Sequence, residues 1–221
     1  MSLEIRDLHK SYEQGGQSIP VLRGLNVSVS EGSIVAILGE SGSGKSTLLA
    51  LLAGLDRPSA GSILLRGESV GEKSQDALAH WRGKNIVIVF QQYHLLPHLT
   101  AQENVELPLE ILGISGRRER ASSLLEDMGL AKRSHHLPRQ MSGGECQRVA
   151  IARALAPNPG LLLADEPSGN LDSDTGQRVM DSFFAQVRKL KTTTILVTHS
   201  RELAKRCDRQ LLLAHGQVSE L

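Results

Sequence analysis

The segment Gly39-Glu40-Ser41-Gly42-Ser43-Gly44-Lys45-Ser46-Thr47 constrains the fold of this chain more than any other stretch. It follows Ile34-Val35-Ala36-Ile37-Leu38, a short continuous apolar run suited to a strand covered on both faces of a parallel sheet. The spacing is GxxxxGK[ST], with a helix expected to begin near Lys45. Glycine is required where backbone must wrap a ligand in conformations closed to other residues. Successive N–H groups in such a loop form a nest for phosphate oxygens, reinforced by the positive end of the following helix. Gly39, Glu40, Ser41, Gly42, Ser43, Gly44, Lys45, Ser46 and Thr47 are therefore candidate nucleotide-binding residues. Lys45 is expected to reach the β- and γ-phosphates as a point charge, and the Ser46 hydroxyl to hold Mg²⁺. A ligand-free glycine turn capped by serine is the competing reading. Three glycines, a lysine and the correct flanks argue against it.

The apolar pattern outside this segment predicts one α/β domain spanning residues 1–221. Leu3, Ile5, Val21, Leu25, Val27 and Val29 alternate with polar residues, predicting antiparallel strands joined through Glu13-Gln14-Gly15-Gly16-Gln17. Further buried strands are expected at Ile86 to Phe90, Leu161 to Ala164 and Thr194 to Val197, with a last short one at Leu211-Leu212-Leu213. Between about Thr100 and Ala156 the spacing turns helical, through Val105, Leu109, Leu112, Leu124, Leu125 and Met128, punctuated by Pro97, Pro108 and Pro138. This predicts a helical lobe over 93–156 inserted into an α/β core formed by 1–92 and 157–221.

Bulk properties remove several function classes. The formal charge is +1, from 25 basic and 24 acidic residues, so no strong net field favours nucleic acid or an anionic membrane. No apolar run approaches the ~20 residues of a membrane-spanning helix, and the first residues lack the apolar core of a secretion signal. Cys146 and Cys207 stand far apart without metal-type spacing and read as reduced thiols of a cytosolic protein. No role is assigned to His9, His80, His94, His98, His135, His136 or His215.

A second acidic signal closes the strand Leu161-Leu162-Leu163-Ala164. Asp165 is expected at the carboxyl edge of the sheet, where it can hold Mg²⁺ directly or through water. Glu166, one residue on, is the candidate that orients the attacking water. Asp-Glu-Pro after a strand is also a plausible polar turn; the phosphate cradle decides between the two.

Met141-Ser142-Gly143-Gly144-Glu145, followed by Cys146-Gln147-Arg148-Val149-Ala150-Ile151-Ala152-Arg153-Ala154-Leu155, resembles the signature segment of the ABC ATPases. Ser142-x-x-Glu145 also fits a capping box opening a helix, and both readings can hold together. The resemblance implies an ABC-type P-loop NTPase: a RecA-like core, an N-terminal antiparallel β subdomain and the inserted helical lobe. It implies that Ser142, Gly143 and Gly144 bind the γ-phosphate held by a second copy of the chain, and that Tyr12 stacks on adenine. It implies that Gln91 senses Mg²⁺ and joins core to lobe. Ser168-Gly169-Asn170-Leu171-Asp172 would cross the dimer interface, with Asp172 as its typical acid. His199 would contact the γ-phosphate and position Glu166, leaving Glu166, His199 and Lys45 as the catalytic candidates.

The local strings further resemble the lipoprotein-releasing and macrolide-exporter group, and within it the YbbA-like ATPases. Ser168 stands where threonine is commoner, Met141 replaces leucine and Cys146 replaces glutamine; no catalytic group is lost. The resemblance implies ATP and Mg²⁺ as cofactors and a separate integral membrane permease subunit as partner. It implies a cytoplasmic location at the inner face of the bacterial inner membrane, and no nucleic-acid partner. Tyr93-His94-Leu95-Leu96-Pro97 with Glu103-Asn104-Val105 is the expected docking surface. A regulatory or scaffold role of the cell-division type, or an ABC ATPase that never touches a membrane, would use the same catalytic set.

Overall fold

The computed structural model describes residues 2–71 and 75–221, the side chains of Gln75 and Asp76 excepted. Met1 and residues 72–74, which the sequence reading placed within the core segment, lie outside the described residues. The predicted hairpin is formed by β1 (Leu3–Gln14) and β2 (Gln17–Val29), paired antiparallel with Gln14 opposite Gln17. A two-residue turn between twisted strands needs positive φ at both positions, and Gly15 (φ 59°) and Gly16 (φ 78°) supply it. Pro20 is tolerated because β2 lies at the edge of its sheet. β4 (Ala60–Leu65) and β5 (Glu68–Ser69) complete a four-stranded sheet in the order β2-β1-β4-β5.

The second sheet has six strands: β3 (Ile34–Leu38), β6 (Ile86–Val89), β7 (Leu161–Asp165), β8 (Thr193–Val197), β9 (Arg209–Ala214) and β10 (Gln217–Glu220). Their order is β10-β9-β3-β8-β7-β6, parallel throughout except for the β9–β10 hairpin at one edge. Successive side chains on a strand face opposite sides, and β3 uses this to serve two cores at once. Ile34, Ala36 and Leu38 join one cluster, with residues of α3 (Ala101–Ile111), α4 (Arg117–Asp127), α5 (Gly143–Leu155) and α6 (Ser173–Leu190). Val35 and Ile37 join the other, with the antiparallel sheet, α1 (Lys45–Leu52) and Leu78 of α2 (Gln75–Asn85). The continuous apolar runs of the sequence are thus strands sandwiched between layers. The short α7 (Arg201–Ala204) follows β8, opened by the Ser200 hydroxyl accepting from Leu203 N.

Strands β4, β5 and β10 and helix α2 were not anticipated from the apolar pattern. β10 contributes only Val218 to packing, and β4 buries only Ile63 and Leu65. Elements that bury so few apolar residues do not stand out in the sequence. Pro108, one of the three prolines that punctuate the helical stretch, lies in the last turn of α3, which ends at Ile111.

Helix α6 shows how the first core is closed. Asp172 caps its N-terminus, accepting from Thr175 N at 3.0 Å, and Lys191 in a left-handed conformation ends it. Its buried stripe of Val179, Met180, Phe183, Phe184 and Val187 follows helical spacing. Phe183 is fully buried and meets Phe184 edge to face at 5.5 Å. Replacing it with alanine leaves a cavity that close packing cannot collapse, at a cost of about 3–5 kcal/mol. For a chain of this size that corresponds to a fall of roughly 10 °C in the thermal midpoint. A melt of Phe183→Ala followed by circular dichroism checks this, and a shift of under about 2 °C would contradict the assignment of Phe183 to the core.

Candidate nucleotide and catalytic site

Because β3, β8, β7 and β6 are neighbours and parallel, their carboxyl ends lie along one edge of the sheet. The segments leaving that edge are, in spatial order, the loop 39–44, Thr198-His199, Asp165-Glu166 and Phe90-Gln91. In chain order they are widely scattered. Two hydrogen bonds seal the edge: Thr198 N donates to Ile37 O at 3.2 Å, and Glu166 N donates to Val197 O at 3.0 Å.

The loop after β3 has the backbone that the glycines were expected to permit. Gly44 has φ 102°, and a Cβ there would stand 2.9 Å from Leu22 Cδ2. A Cβ on Gly39 would stand 2.5 Å from the Leu213 carbonyl oxygen. Gly44 precedes α1 without any side-chain cap, so the first N–H groups of that helix are left for another acceptor. Lys45 Nζ folds back over the loop and donates to the carbonyls of Gly39 at 2.8 Å and Glu40 at 2.6 Å. Its ammonium therefore already sits among oxygen acceptors at the mouth of the cradle. Ser46 is exposed on the first turn of α1 and Thr47 is half-buried.

Asp165 closes β7, opposite Val197. Burial pushes its carboxyl above the usual range, and the neighbouring Glu166 pushes in the same direction, opposed by Lys45. Glu166 adopts φ 46°, a left-handed conformation unusual for a residue with a side chain. Its Oε1 accepts from His199 Nδ1 at 2.8 Å. The structure thus brings Glu166 and His199 into direct contact at the ends of adjacent strands, with Asp165 beside them. A Mg²⁺ ion suits the donors present: a hydroxyl, a carboxylate and an amide oxygen are hard ligands, and the half-buried Asp165 charge favours a cation. The described residues hold no group of three or more His, Cys, Asp or Glu able to bind a metal unaided.

Gln91 stands just past β6 and is exposed. Its Nε2 donates to Asn170 Oδ1 at 2.8 Å, while Asn170 Nδ2 donates to Gln91 O at 3.2 Å. The surrounding segment is held by α5: Gln147 Nε2 donates to Phe90 O at 3.3 Å, and Arg153 donates to Tyr93 O and His94 O at 3.0 and 2.7 Å. His94, like Glu166, has positive φ (46°). Asn170, Gln147 and Arg153 were not singled out from sequence, since an amide or guanidinium aimed at a distant carbonyl leaves no local pattern.

Ser142 caps α5 in a reciprocal box: its hydroxyl accepts from Glu145 N at 3.3 Å, and Glu145 Oε2 accepts from Ser142 N at 2.8 Å. Arg133 Nε adds a bond to Glu145 Oε1 at 3.0 Å. A Cβ on Gly144 would collide with Thr175 of α6, and one on Gly143 would stand 2.7 Å from Tyr93 Oη. The nearest neighbours of Gly143 and Gly144 are thus Tyr93, Leu171 and Thr175, not the loop 39–44 of the same chain. Asp172 is occupied as the cap of α6, and the backbone N–H of Thr175 holds its carboxyl below the usual range. Tyr12 lies on β1, 41% exposed, with its hydroxyl donating to Asp56 at 2.9 Å and Lys10 Nζ 4.7 Å from its ring centroid. Burial raises the Asp56 carboxyl, but the hydrogen bonds from Lys10, Tyr12 and the Arg57 backbone outweigh it and hold the group low.

One expectation is corrected. Asn104 and Val105 were placed on a docking surface, yet both are fully buried. Asn104 Oδ1 accepts from Leu96 N at 2.8 Å, and its amide donates to the carbonyls of Leu96, Leu99 and Thr100. It organises the loop entering α3 from within. The exposed apolar surface of α3 is Ile111, 75% exposed, at the rim of a groove of about 300 Å³ with Val87, Ile88, Leu107, Pro108 and Ala154.

Comparison with known proteins agrees with this geometry. A family profile described as "ABC transporter" matches residues 22–169. The chain is 49% identical over 220 residues to the uncharacterized ABC transporter ATP-binding protein YbbA of Escherichia coli K12, covering 99% of this chain and 96% of that protein. It is 49% identical to the lipoprotein-releasing system ATP-binding protein LolD of Pseudomonas fluorescens, covering 98% of this chain and 96% of LolD. It is 44% identical to the macrolide export ATP-binding/permease protein MacB 2 of Aeromonas hydrophila, where 99% of this chain spans 34% of the larger protein. Among solved structures, the ATP-binding cassette MJ0796 as a post-hydrolysis dimer bound to ADP and Pi superposes with a TM-score of 0.87 at 39% identity, covering 99% of this chain and 97% of that one.

The carboxyl of Asp165 generates a prediction with a definite sign. A carboxylate whose pKa is raised by folding favours the native state below that range and disfavours it once ionised. Asp165→Asn should therefore melt at a higher temperature than the parent protein at pH 7 without nucleotide. The difference should vanish as pH falls through the carboxylate range. The same variant should lose the extra stabilisation given by MgATP, as read in the same melts. A lower midpoint at pH 7 would show that Asp165 is held by favourable contacts, not strained by burial.

Proposed function

The chain belongs to the ABC transporter family as an ATP-binding and ATP-hydrolysing cassette, and from that premise we propose that it works as a pair closing head to tail on two ATP molecules to drive a separate membrane subunit. The observation that carries the reading is the Glu166–His199 contact, held between the glycine loop and Asp165 on the ends of adjacent parallel strands.

The loop 39–44 and the first turn of α1 receive the phosphates through backbone N–H groups. Lys45 exchanges its two carbonyl acceptors for β- and γ-phosphate oxygens. Ser46, Asp165 and Gln91 are the residues that would hold Mg²⁺, and the ion would supply neutralisation of charge on the phosphates and on the half-buried carboxylate. Glu166 orients the attacking water, and its strained backbone aims the carboxylate toward the γ-phosphate. His199 fixes the Glu166 side chain and contacts the same phosphate. Tyr12, braced by Asp56, offers its ring to adenine.

Ser142, Gly143 and Gly144 complete the site of the other copy. They open α5 with a capped, side-chain-poor N-terminus suited to a γ-phosphate, and their own-chain neighbours lie away from loop 39–44. Asp172 fixes the start of α6, so that the loop 168–172 is presented at the face between copies. Loss of the γ-phosphate removes the bridge between the copies, and the opening of the pair is the work stroke. Residues 1–92 and 157–221 act as the core of this unit, and 93–156 as the lobe that moves with the partner.

No helix among the described residues is long and apolar enough to cross a membrane. The permease is proposed as a separate subunit because the chain matches LolD over 96% of that protein's length; the name of MacB 2, by contrast, joins ATP-binding and permease functions. We place its docking at the apolar groove beside Ile111, between the lobe and β6, two residues before Gln91. The chain then sits on the cytoplasmic face of the bacterial inner membrane, in an export or lipoprotein-extraction system of the LolD and MacB kind.

Glu166→Gln should retain ATP binding while turnover falls by at least about 100-fold. On size exclusion with light scattering, this variant should become a dimer in MgATP and remain a monomer in ADP. Undiminished turnover would remove Glu166 from its role, and a strict monomer in MgATP would remove the paired mechanism.

A further inference from the structure

The lobe-bearing segment after β6 meets the loop after β7 through one pair of amides, Gln91 and Asn170, 79 positions apart in the chain. The orientation of both amides follows from a single unambiguous acceptor. Gln91 O is a backbone carbonyl, so the Asn170 atom facing it at 3.2 Å must be the donor Nδ2. Asn170 Oδ1 is then the acceptor that faces Gln91, and Gln91 must present Nε2, at 2.8 Å. Its Oε1, the only atom of that side chain able to ligate a hard cation, is thereby directed away from Asn170. Gly169 tightens the arrangement: a Cβ there would stand 2.8 Å from Gln91 Nε2.

We propose that Asn170 is a positioning residue for the Mg²⁺ site: by holding Nε2 of Gln91, it presets Oε1 as the metal-facing atom before nucleotide arrives. Without it the Gln91 amide rotates freely on an exposed segment, and half of its orientations offer N–H groups to the cation. Partners of this kind, one bond removed from the metal, typically govern 10–100-fold in affinity or activity. The backbone of the same segment is independently fixed by Gln147 on Phe90 O and by Arg153 on Tyr93 O and His94 O. Asn170 Nδ2 adds to this anchoring at Gln91 O, and its Oδ1 is the partner that sets the side-chain orientation of Gln91. Because Asn170 lies in the loop 168–172, displacement of that loop by a second copy would be felt directly at the metal. The inference rests on the reading that Gln91 reaches the Mg²⁺ site.

Mn²⁺ binding to the ATP-loaded Glu166→Gln protein, followed by loss of the free-ion electron paramagnetic resonance signal, tests this without relying on turnover. Asn170→Ala and, separately, Gly169→Ala should each weaken Mn²⁺ by roughly 10-fold or more. The Gly169 variant keeps Asn170 and displaces Gln91, so a folding defect in one variant leaves the other informative. In a Gln91→Ala background, Asn170→Ala should add nothing. In hydrolysis assays of the otherwise unaltered protein, Asn170→Ala should raise the Mg²⁺ needed for half-maximal rate while excess Mg²⁺ restores the maximal rate. If Gln91→Ala weakens Mn²⁺ but neither loop variant does, the role of Asn170 is overturned and that of Gln91 stands. If Gln91→Ala itself leaves Mn²⁺ binding unchanged, Gln91 is not a metal residue and the proposal falls with it. An Asn170→Ala effect that persists undiminished in the Gln91→Ala background would assign Asn170 a general structural role and equally overturn the proposal.

Discussion

Parallel pairing of β3 with β8 and of β8 with β7 is the interaction on which the rest of this protein depends. It sets three loops, from three distant parts of the chain, at one edge of one sheet. Each strand is covered on both faces, so a register slip would move buried residues into the wrong core, and the edge is defined closely. The bonds from Glu166 N to Val197 O and from Thr198 N to Ile37 O then carry the ladder one step past the strand ends, into the candidate catalytic residues. Placement of the reactive groups is in this sense a continuation of sheet formation.

The same edge collects features that work against stability. Asp165 is a carboxylate raised by burial, Glu166 and His94 occupy left-handed backbone, and Gly44 leaves the start of α1 without a side-chain cap. Each is unfavourable alone, and each is offset by the dense packing of Val35, Ile37, Leu163 and Val197 below them. An uncapped helix end suits an anion such as phosphate, and a half-buried carboxylate suits a cation, so a nucleotide with its metal ion would relieve these two. The site is preorganised for its ligand to the extent that it is uncomfortable without one.

The fold and the site differ in how openly the sequence displays them. The glycine loop was legible because its glycine and lysine spacing answers local demands, such as positive φ at Gly44 and charge at Lys45. The strands buried on both faces were legible from their unbroken apolar runs. β4, β5, β10 and α2 were not, because β5 has no apolar residue and the others turn only one or two inward. Asn104 and Val105 looked available on a polar, helical stretch, yet Asn104 spends its side chain on four backbone groups of the preceding loop. A buried asparagine that organises a loop and an exposed one are indistinguishable without the third dimension.

Sequence by itself determined the inventory of candidates: the phosphate loop, the acidic pair after β7, His199 after β8, and a signature segment whose Ser142 and Glu145 already specify their own capping box. These are set by local chemistry, meaning spacing within one turn or one strand end. The meeting of His199 with Glu166 was implied by the family resemblance, but its physical cause and the other pairings lie in the tertiary structure. The strand order β3-β8-β7-β6 puts His199 against Glu166, and the crossing of two loops puts Asn170 against Gln91. Pairings across tens of residues depend on how layers pack, and packing free energy is shared among residues too dispersed for any one stretch of sequence to encode it.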